Sequence, residues 1–375
     1  MLVTSTDAAH SLADALDVPL GDRPTSIDLG VWSDAGGALE AQQIDAQDRL
    51  ERHWGEVRDY LSALLSWGGL GELAAEELML FPGLDELFAL IDLRRQAASG
   101  NYDLVVVDCA PTAETLKLLA LPDALRFYAD RMLGPGRRLV RGVSALALPR
   151  GPAGTTLPLP DDGVFASVGR VHEELAGVHE LLTDTSRCSV RLVVNPERLV
   201  LAEARRSATT LSLFGYAVDA VLVNRVLPDT VTDPFLTTWR AQQRAHLEQA
   251  EIAFAPVPLL PAPLLALEPI GIAGLHGLAG ALYGDRAPSA RLHHSEPMAI
   301  TATDEGHLLR IALPFATDDD LDLHRRNGEL HLKVAGVRRN LALPAALRRC
   351  TVSGARLHDG WLEVRFAAPV PAGQR

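Results

Sequence analysis

The sequence is poor in lysine and cysteine, and each shortage excludes a class of protein. Only two of its 35 basic residues are lysines and the net charge is −13, which argues against a nucleic-acid partner because such partners need a basic surface. The three cysteines, Cys109, Cys188 and Cys350, lie far apart and form no CxxC pair. This spacing argues against a disulfide framework or a zinc site and favours a reducing compartment.

Long apolar runs and a leader sequence are also absent. No stretch approaches the roughly 18 consecutive apolar residues of a membrane span, and no basic segment with a cleavage-like site opens the chain. We therefore expect a cytoplasmic protein. With 375 residues, 47% of them apolar, the chain is long enough for two or three domains.

The sequence does contain an alternation of apolar strands and amphipathic helices. Buried-strand patterns open the chain at residues 1–3 and recur at 104–107, 189–194 and 218–224, and a helical pattern follows each of them. A further strand and a Pro-rich loop are predicted within 252–263, "IAFAPVPLLPAP". The run at 104–107 is typical of a strand that is covered on both faces. Strands that alternate with helices predict an α/β fold with a mostly parallel sheet and helices on both faces.

A change of period marks a second domain. After about residue 285 the apolar residues recur every second position, and Asn-Gly and Asp-Gly pairs separate the runs, as in an antiparallel β-sandwich. We predict an α/β domain at 1–285 with helical insertions at about 40–99 and 116–186, a linker at 286–297 and a small all-β domain at 298–375.

Four polar residues lie at or just past the carboxyl ends of the predicted strands: Asp7, Asp108, Glu197 and Asn224. In a parallel sheet these ends meet at one crevice, where carboxylates and an amide suit a magnesium–nucleotide site. For each residue alone, a role as helix N-cap explains the position equally well.

The amino-acid sequences of several segments resemble those of one protein family. "STDAAHSLADAL" and "DLVVVDCAPTAETLKLL" resemble the two switch segments of the ArsA and guided-entry ATPases, which drive arsenical efflux or deliver tail-anchored membrane proteins. "VVNPERLVLAEARR" and "LFGYAVDAVLVNRV" are similar to that family too. The C-terminal part resembles the small-heat-shock-protein-like domain of many bacterial members. The resemblance implies a fold like that of the P-loop NTPases.

The resemblance implies roles for the two aspartates and for the cofactor. Asp7 matches the switch I aspartate that activates the hydrolytic water, and Asp108 matches the switch II aspartate that holds Mg²⁺ through water. The implied ligands are ATP and Mg²⁺. The implied assembly is a homodimer that acts with a membrane-protein client or a membrane pump subunit, without nucleic acid.

Further positions match nucleotide contacts of the family. Glu197 matches a nucleotide-contacting position, and Asn224 matches the residue at adenine. The loop Pro256–Pro263, with Pro258 and Pro261, resembles the segment that packs on adenine. The family's zinc CxxC and its arsenite-binding cysteines have no match, so we expect neither a zinc nor an arsenite site.

One departure from the family is large. Its members begin with a strand and a Gly-rich loop of the type KGGVGKT, which cradles the phosphates. Neither lysine of this chain, Lys117 or Lys333, follows a Gly-rich turn. Either the recorded start lies too late, which we favour, or the gene is a degenerate copy that has lost the sheet's first strand. The 375 residues alone are expected to bind ATP poorly.

Two functional hypotheses follow. The first is an ATPase of the ArsA/guided-entry type that couples ATP hydrolysis to the handling of a membrane-protein client or pump partner. The alternative is a non-hydrolysing paralogue that acts as a protein-binding module. Both predict the same α/β core.

Overall fold

The computed structural model describes residues 1–6, 11–31, 36–44, 84–109, 173–174, 176–326 and 328–368. The chain divides into two compact units. Residues Met1–Asp14 and Val18–Glu180 form the first, and Leu181–Arg375 together with Ala15–Asp17 form the second. Each unit is described by itself.

The first unit contains a four-stranded sheet, here called the N-terminal sheet. Its strands are β1 (Leu2–Ser5), β2 (Thr25–Ile27), β3 (Leu39–Gln43) and β4 (Val105–Asp108), and the helices between them in sequence are α1 (Ser11–Leu16) and α2 (Leu84–Ala98). The order is β2-β3-β1-β4, with β1 parallel to β3 and β4, and β2 antiparallel to β3. Among the described strands, β4 therefore lies at an edge.

The predicted helical insertion at 40–99 is only partly correct. Helix α2 is confirmed, but its first predicted residues belong to strand β3, and residues 45–83 lie outside the described part. The sequence does not signal this strand because two of its three buried residues, Gln42 and Gln43, are polar: the Gln42 amide donates to Thr4 Oγ1 at 3.2 Å and to Asp92 Oδ2 at 3.0 Å. A hydrogen-bonded network takes the place of the apolar pattern that signals a buried strand.

Two other predictions for this unit also need comment. Strand β4 is not covered on both faces, because the Val106 side chain is 42% exposed. The helical pattern expected before residue 182 is present where the structure describes it, at residues 176–183. Most of the predicted insertion at 116–186 lies outside the described residues.

Three parallel strands of the second unit form the central sheet. They are β5 (Val190–Val194), β6 (Val218–Val226) and β7 (Leu259–Pro263), followed by helices α3 (Arg198–Leu213), α4 (Pro234–Phe254) and α5 (Gly271–Tyr283). The order is β5-β6-β7. Asp233 caps α4 by accepting from the N–H groups of Phe235 and Leu236. Helix α3 ends before Gly215, as predicted, since the φ of +89° there suits glycine.

Seven antiparallel strands form the predicted β-sandwich. They are β8 (Met298–Thr303), β9 (Gly306–Ala312), β10 (Leu321–Arg326), β11 (Glu329–Val334), β12 (Val337–Ala342), β13 (Thr351–His358) and β14 (Trp361–Ala367), and a short helix α6 (Ala345–Arg348) precedes β13. One sheet has the order β13-β14-β9-β8 and the other β10-β11-β12. Asp359 and Gly360 have the positive φ angles that a tight hairpin turn requires.

The sandwich packs on the carboxyl-terminal half of α3. Leu213 belongs to the same buried apolar cluster as the sandwich core. The Arg339 guanidinium donates to the Leu213 carbonyl oxygen and lies 5.5 Å from the centre of the Phe214 ring. Thr209 donates to the Pro314 carbonyl oxygen, and the Phe254 and Phe315 rings meet edge to face at 5.1 Å. The polar residues of this half-helix are therefore covered by protein.

Within the described ranges, no helix combines the length and the apolar composition that crossing a membrane requires. The same residues contain no group of three or more His, Cys, Asp or Glu side chains arranged to hold a metal ion.

Candidate functional site

Asp108 ends strand β4 and is exposed to solvent. The Ser5 hydroxyl donates to its carboxylate Oδ2 at 3.2 Å, and the Thr6 N–H donates to its carbonyl oxygen at 2.9 Å. An exposed carboxylate at the carboxyl end of a parallel strand is suited to hold a hydrated Mg²⁺ through a water molecule, because Mg²⁺ keeps several of its waters in protein sites. The chemistry of Asp108 therefore fits the predicted metal contact.

Asp7, the predicted catalytic residue, lies outside the described residues. The residue before it, Thr6, is hydrogen-bonded to Asp108 through both its N–H group and its hydroxyl. Thr6, the last described residue before Asp7, is therefore held directly against Asp108.

Glu197 stands at the N-cap position of α3, directly after the turn that follows β5. Its backbone is extended, with φ −119° and ψ 140°, and its side chain makes no capping hydrogen bond. Its N–H group donates to the Asn195 carbonyl oxygen at 2.8 Å, which closes the turn. The structure thus argues against the simple capping role for Glu197, because the exposed carboxylate does not bind the helix's own N–H groups.

Asn224 does not end its strand as predicted, because β6 continues to Val226. The position is nevertheless special: the pairing of β6 with β7 shifts between Val223 and Val226, and Arg225 has a φ of +57°. This is a β-bulge, a device that redirects side chains at strand ends and is frequent next to functional sites. The Asn224 Oδ1 accepts from the Arg225 N–H at 2.9 Å.

The segment Pro256–Pro263, predicted to contain part of a strand and a Pro-rich loop, contains strand β7. Pro261 is exposed and pairs in register with Val223, the residue before Asn224. Proline is tolerated there because β7 lies at an edge of the described central sheet. Pro258 precedes the strand, and its carbonyl oxygen accepts from the Val221 N–H at 3.0 Å. It thus lies three residues before Pro261, about 10 Å at 3.3 Å per residue, toward the amino-terminal edge of the sheet.

The second unit therefore brings Glu197, Asn224 and Pro261 to one edge, because each lies at or near the carboxyl end of one of three neighbouring parallel strands. It does not bring Pro258 to that edge. Asp108 has the same position in the N-terminal sheet, which belongs to the first unit. An open α/β sheet binds ligands outside the carboxyl ends of its strands, so this arrangement is typical of a nucleotide-binding protein.

Sequence reasoning missed three residues of α4 beside this edge. Arg240, Gln243 and His246 recur every third position and bind backbone groups of the segments that carry Glu197 and Asn224. A polar residue at this spacing normally indicates a solvated helix face. Only the packing of α4 against the end of β6 shows that this face binds backbone groups rather than solvent, and that packing cannot be read from the sequence.

Comparison with known proteins identifies the family. Residues 1–284 match the anion-transporting ATPase family, ArsA, and residues 304–366 match the HSP20-like domain found in ArsA. The chain is 34% identical, over 93% of its length and 87% of the relative's, to a protein of Aquifex aeolicus described as an arsenical pump-driving ATPase. A protein of Chlorobaculum tepidum with the same description is 32% identical, over 97% of the chain and 88% of the relative.

A eukaryotic relative is more distant. An ATPase ASNA1 homolog of Trypanosoma cruzi is 25% identical over 74% of the chain and 78% of its own length. The chain belongs to the ArsA family of anion-transporting ATPases and has the HSP20-like domain found in ArsA. The resemblance inferred from the sequence is confirmed at this level.

Proposed function

We propose that this protein is an ATPase that couples Mg²⁺-dependent ATP hydrolysis to the handling of a membrane-protein client or pump partner. The observation that supports it most is the gathering of Glu197, Asn224 and Pro261 at the carboxyl ends of three neighbouring parallel strands. Membership of an ATPase family supports the reaction type. The relatives described as arsenical pump-driving ATPases support a pump partner.

Roles are proposed for five residues. In the first unit, Asp108 would hold Mg²⁺ through water, and Asp7 would orient the attacking water. In the second unit, Glu197 would contact the nucleotide, Asn224 would bind the adenine edge, and Pro261 would pack against the base. Mg²⁺ would supply neutralisation of the charge on the transferred phosphoryl group. We propose further that the protein acts as a homodimer in the cytoplasm.

The test is ATP turnover with matched aspartate variants. The 375-residue protein, and the product of the same gene read from any in-frame upstream start, are assayed for Mg²⁺-dependent release of phosphate. We expect Asp7→Asn and Asp108→Asn each to lower kcat by at least about 100-fold, since each removes a group that acts on the reacting atoms. The control is Asp103→Asn, which changes an exposed carboxylate at the other end of β4 and is expected to leave turnover unchanged.

The outcomes separate the two hypotheses. Turnover that depends on Asp7 in either protein form supports the ATPase. Absence of turnover in both forms, with retained binding of an apolar helical peptide, would favour the protein-binding module instead. Coupling is tested with the same peptide: for the proposed client role, its affinity must change between the ADP-bound and ATP-bound states.

A further inference from the structure

Three side chains on one face of α4, Arg240, Gln243 and His246, form a polar stripe. The residues lie three positions apart, so they are neighbours on the helix surface. Gln243 is only 9% exposed, although glutamine is a residue that proteins mostly leave in water. The stripe faces backbone groups, and every contact given below joins α4 to a segment at the carboxyl ends of β5 and β6.

Gln243 binds the backbone within the bulge, at Arg225, and just after it, at Leu227. Its Oε1 accepts from the Leu227 N–H at 2.9 Å, and its Nε2 donates to the Arg225 carbonyl oxygen at 3.3 Å. This is the stretch where the pairing of β6 with β7 is interrupted. The side-chain amide thus substitutes for ladder hydrogen bonds and fixes a backbone shape that includes a positive φ at Arg225.

His246, one turn further along α4, binds the turn before Glu197. Its Nδ1 lies 3.1 Å from the Pro196 carbonyl oxygen. A carbonyl oxygen can only accept, so the hydrogen of this bond is on Nδ1. Arg240, at the other end of the stripe, donates to the carbonyl oxygens of Asp229 and Val231, which lie in the segment between β6 and α4.

We propose that Gln243 and His246 are positioning residues for the nucleotide, which hold Asn224 and Glu197 at a fixed separation. The inference rests on the proposed function, because it assigns the two held residues to nucleotide binding. One rigid helix contacts both segments, so the strand end with the amide and the turn with the carboxylate cannot shift independently. Such pre-organisation lowers the cost of fitting a ligand between them.

The test compares variants of the full chain by KM and kcat for ATP, by binding of the fluorescent analogue mant-ATP, and by hydrogen exchange of the amides at 225–227. Gln243→Met keeps the length of the side chain but loses both hydrogen bonds. Gln243→Glu keeps the acceptor for Leu227 and loses the donor for Arg225. The matched control is Gln242→Met, the same change at the exposed neighbouring position.

We expect Gln243→Met to raise the KM for ATP, and the Kd for mant-ATP, about tenfold with kcat within about twofold, and Gln243→Glu to give an intermediate effect. The amides at 225–227 should exchange at least about tenfold faster in Gln243→Met and at the normal rate in Gln242→Met. For His246, replacement by leucine should raise KM, whereas His246→Asn, which keeps a donor at the same place, should restore it.

The results distinguish the two proposals. Unchanged KM and Kd together with unchanged exchange in Gln243→Met would overturn the positioning role. Faster hydrogen exchange with unchanged nucleotide affinity would overturn it as well, since the hydrogen bonds of Gln243 would then stabilise the fold alone. If neither the 375-residue protein nor the product of an in-frame upstream start binds mant-ATP or hydrolyses ATP, the ATPase proposal fails, and the nucleotide role of both residues fails with it. In that case hydrogen exchange at 225–227 would still show whether Gln243 holds the bulge in place.

Discussion

The two strands that end near candidate residues, β4 and β6, have similar apolar sequences and different surroundings. Strand β4, "VVVD", lies at the edge of the described N-terminal sheet, and its Val106 is 42% exposed. Strand β6, "VDAVLVNRV", lies between two neighbours, and its Val223 is fully buried. The comparison teaches that an apolar β-branched run predicts a strand, whereas its place in the sheet decides what it buries.

The two sheets also differ in their polar contacts. In the central sheet, Arg191 of β5 binds the fully buried Asp219 of β6 through both carboxylate oxygens, at 3.2 and 3.3 Å. In the N-terminal unit, the Tyr102 hydroxyl donates to Glu40 of β3. The first contact is enclosed by protein and the second is close to solvent. Their contributions to stability should therefore differ widely.

The largest expected effect is that of Arg191→Met. The change leaves the Asp219 carboxylate buried without its cation, and we expect the free energy of unfolding to fall by about 3–5 kcal/mol. Arg191 also donates to the carbonyl oxygens of Pro288 and Ala290, both at 2.7 Å, so the segment after α5 should loosen. Urea denaturation measures the loss, with the exposed Arg187→Met as control.

A second variant tests the physical reason for that loss. Burial, the largest single influence, lowers the pKa of Arg191, but the hydrogen bonds and charge of Asp219 together with those of Tyr283 outweigh it and raise the pKa above the ordinary arginine value. Arg191 therefore remains charged. The double variant Arg191→Met, Asp219→Leu removes both charges and should recover much of the lost stability. A single variant that loses less than about 1 kcal/mol would refute the enclosed pair.

A pair of valine variants gives the next largest effect and tests the strand comparison directly. Val223→Thr keeps the shape of the side chain but places a hydroxyl in the interior, and the free energy of unfolding should fall by about 1–3 kcal/mol. Val106→Thr places the same group on an exposed edge and should cost less than about 0.5 kcal/mol. Both are measured by denaturation in the same buffer. Equal costs would mean that the edge of β4 is covered in solution.

The part of the fold predicted from sequence depended on local signals. The period-two runs and their turns gave the sandwich, and the glycine at 215 gave the end of α3. Non-local contacts defeated the prediction elsewhere. The polar residues Ser207, Thr209 and Thr210 look like a solvated helix face, but all three are buried, and their hydroxyls donate to carbonyl oxygens one turn earlier.

The candidate site shows the same division. A polar residue after an apolar run is visible in the sequence, so Asp108, Glu197 and Asn224 could be named. The bulge at Asn224 could not, because the side chain that hydrogen-bonds its backbone, Gln243, lies in another element, 19 residues further along the chain. A strand was predicted within 252–263, but its residues could not be separated from the Pro-rich loop, because proline disfavours sheets unless the strand lies at an edge. Edges are properties of the assembled sheet.

The smallest expected effect concerns Tyr102 and high pH. The hydrogen bond to Glu40 raises the pKa of Tyr102 to about 12, with smaller contributions from burial and from the charge of Glu40. In the unfolded chain this pKa is about 10. A raised pKa gives stability that is complete below pH 10 and is lost as the pH rises from about 10 to 12. Solvent screening near the surface should keep the effect below about 1 kcal/mol.

The measurement is a comparison of wild type with Tyr102→Phe. Between pH 10 and 12 the wild type should lose slightly more stability than the variant, while below pH 9 the two should differ by a constant amount. The difference in tyrosinate absorbance between the two proteins isolates the titration of Tyr102 and should have its midpoint near 12. In a Glu40→Gln background, which removes the charge at the partner position, the midpoint should move toward 10. A midpoint at 10 in the wild type would mean that the Tyr102 hydroxyl is solvated and does not bind Glu40. The comparison with the Arg191–Asp219 pair would then no longer hold.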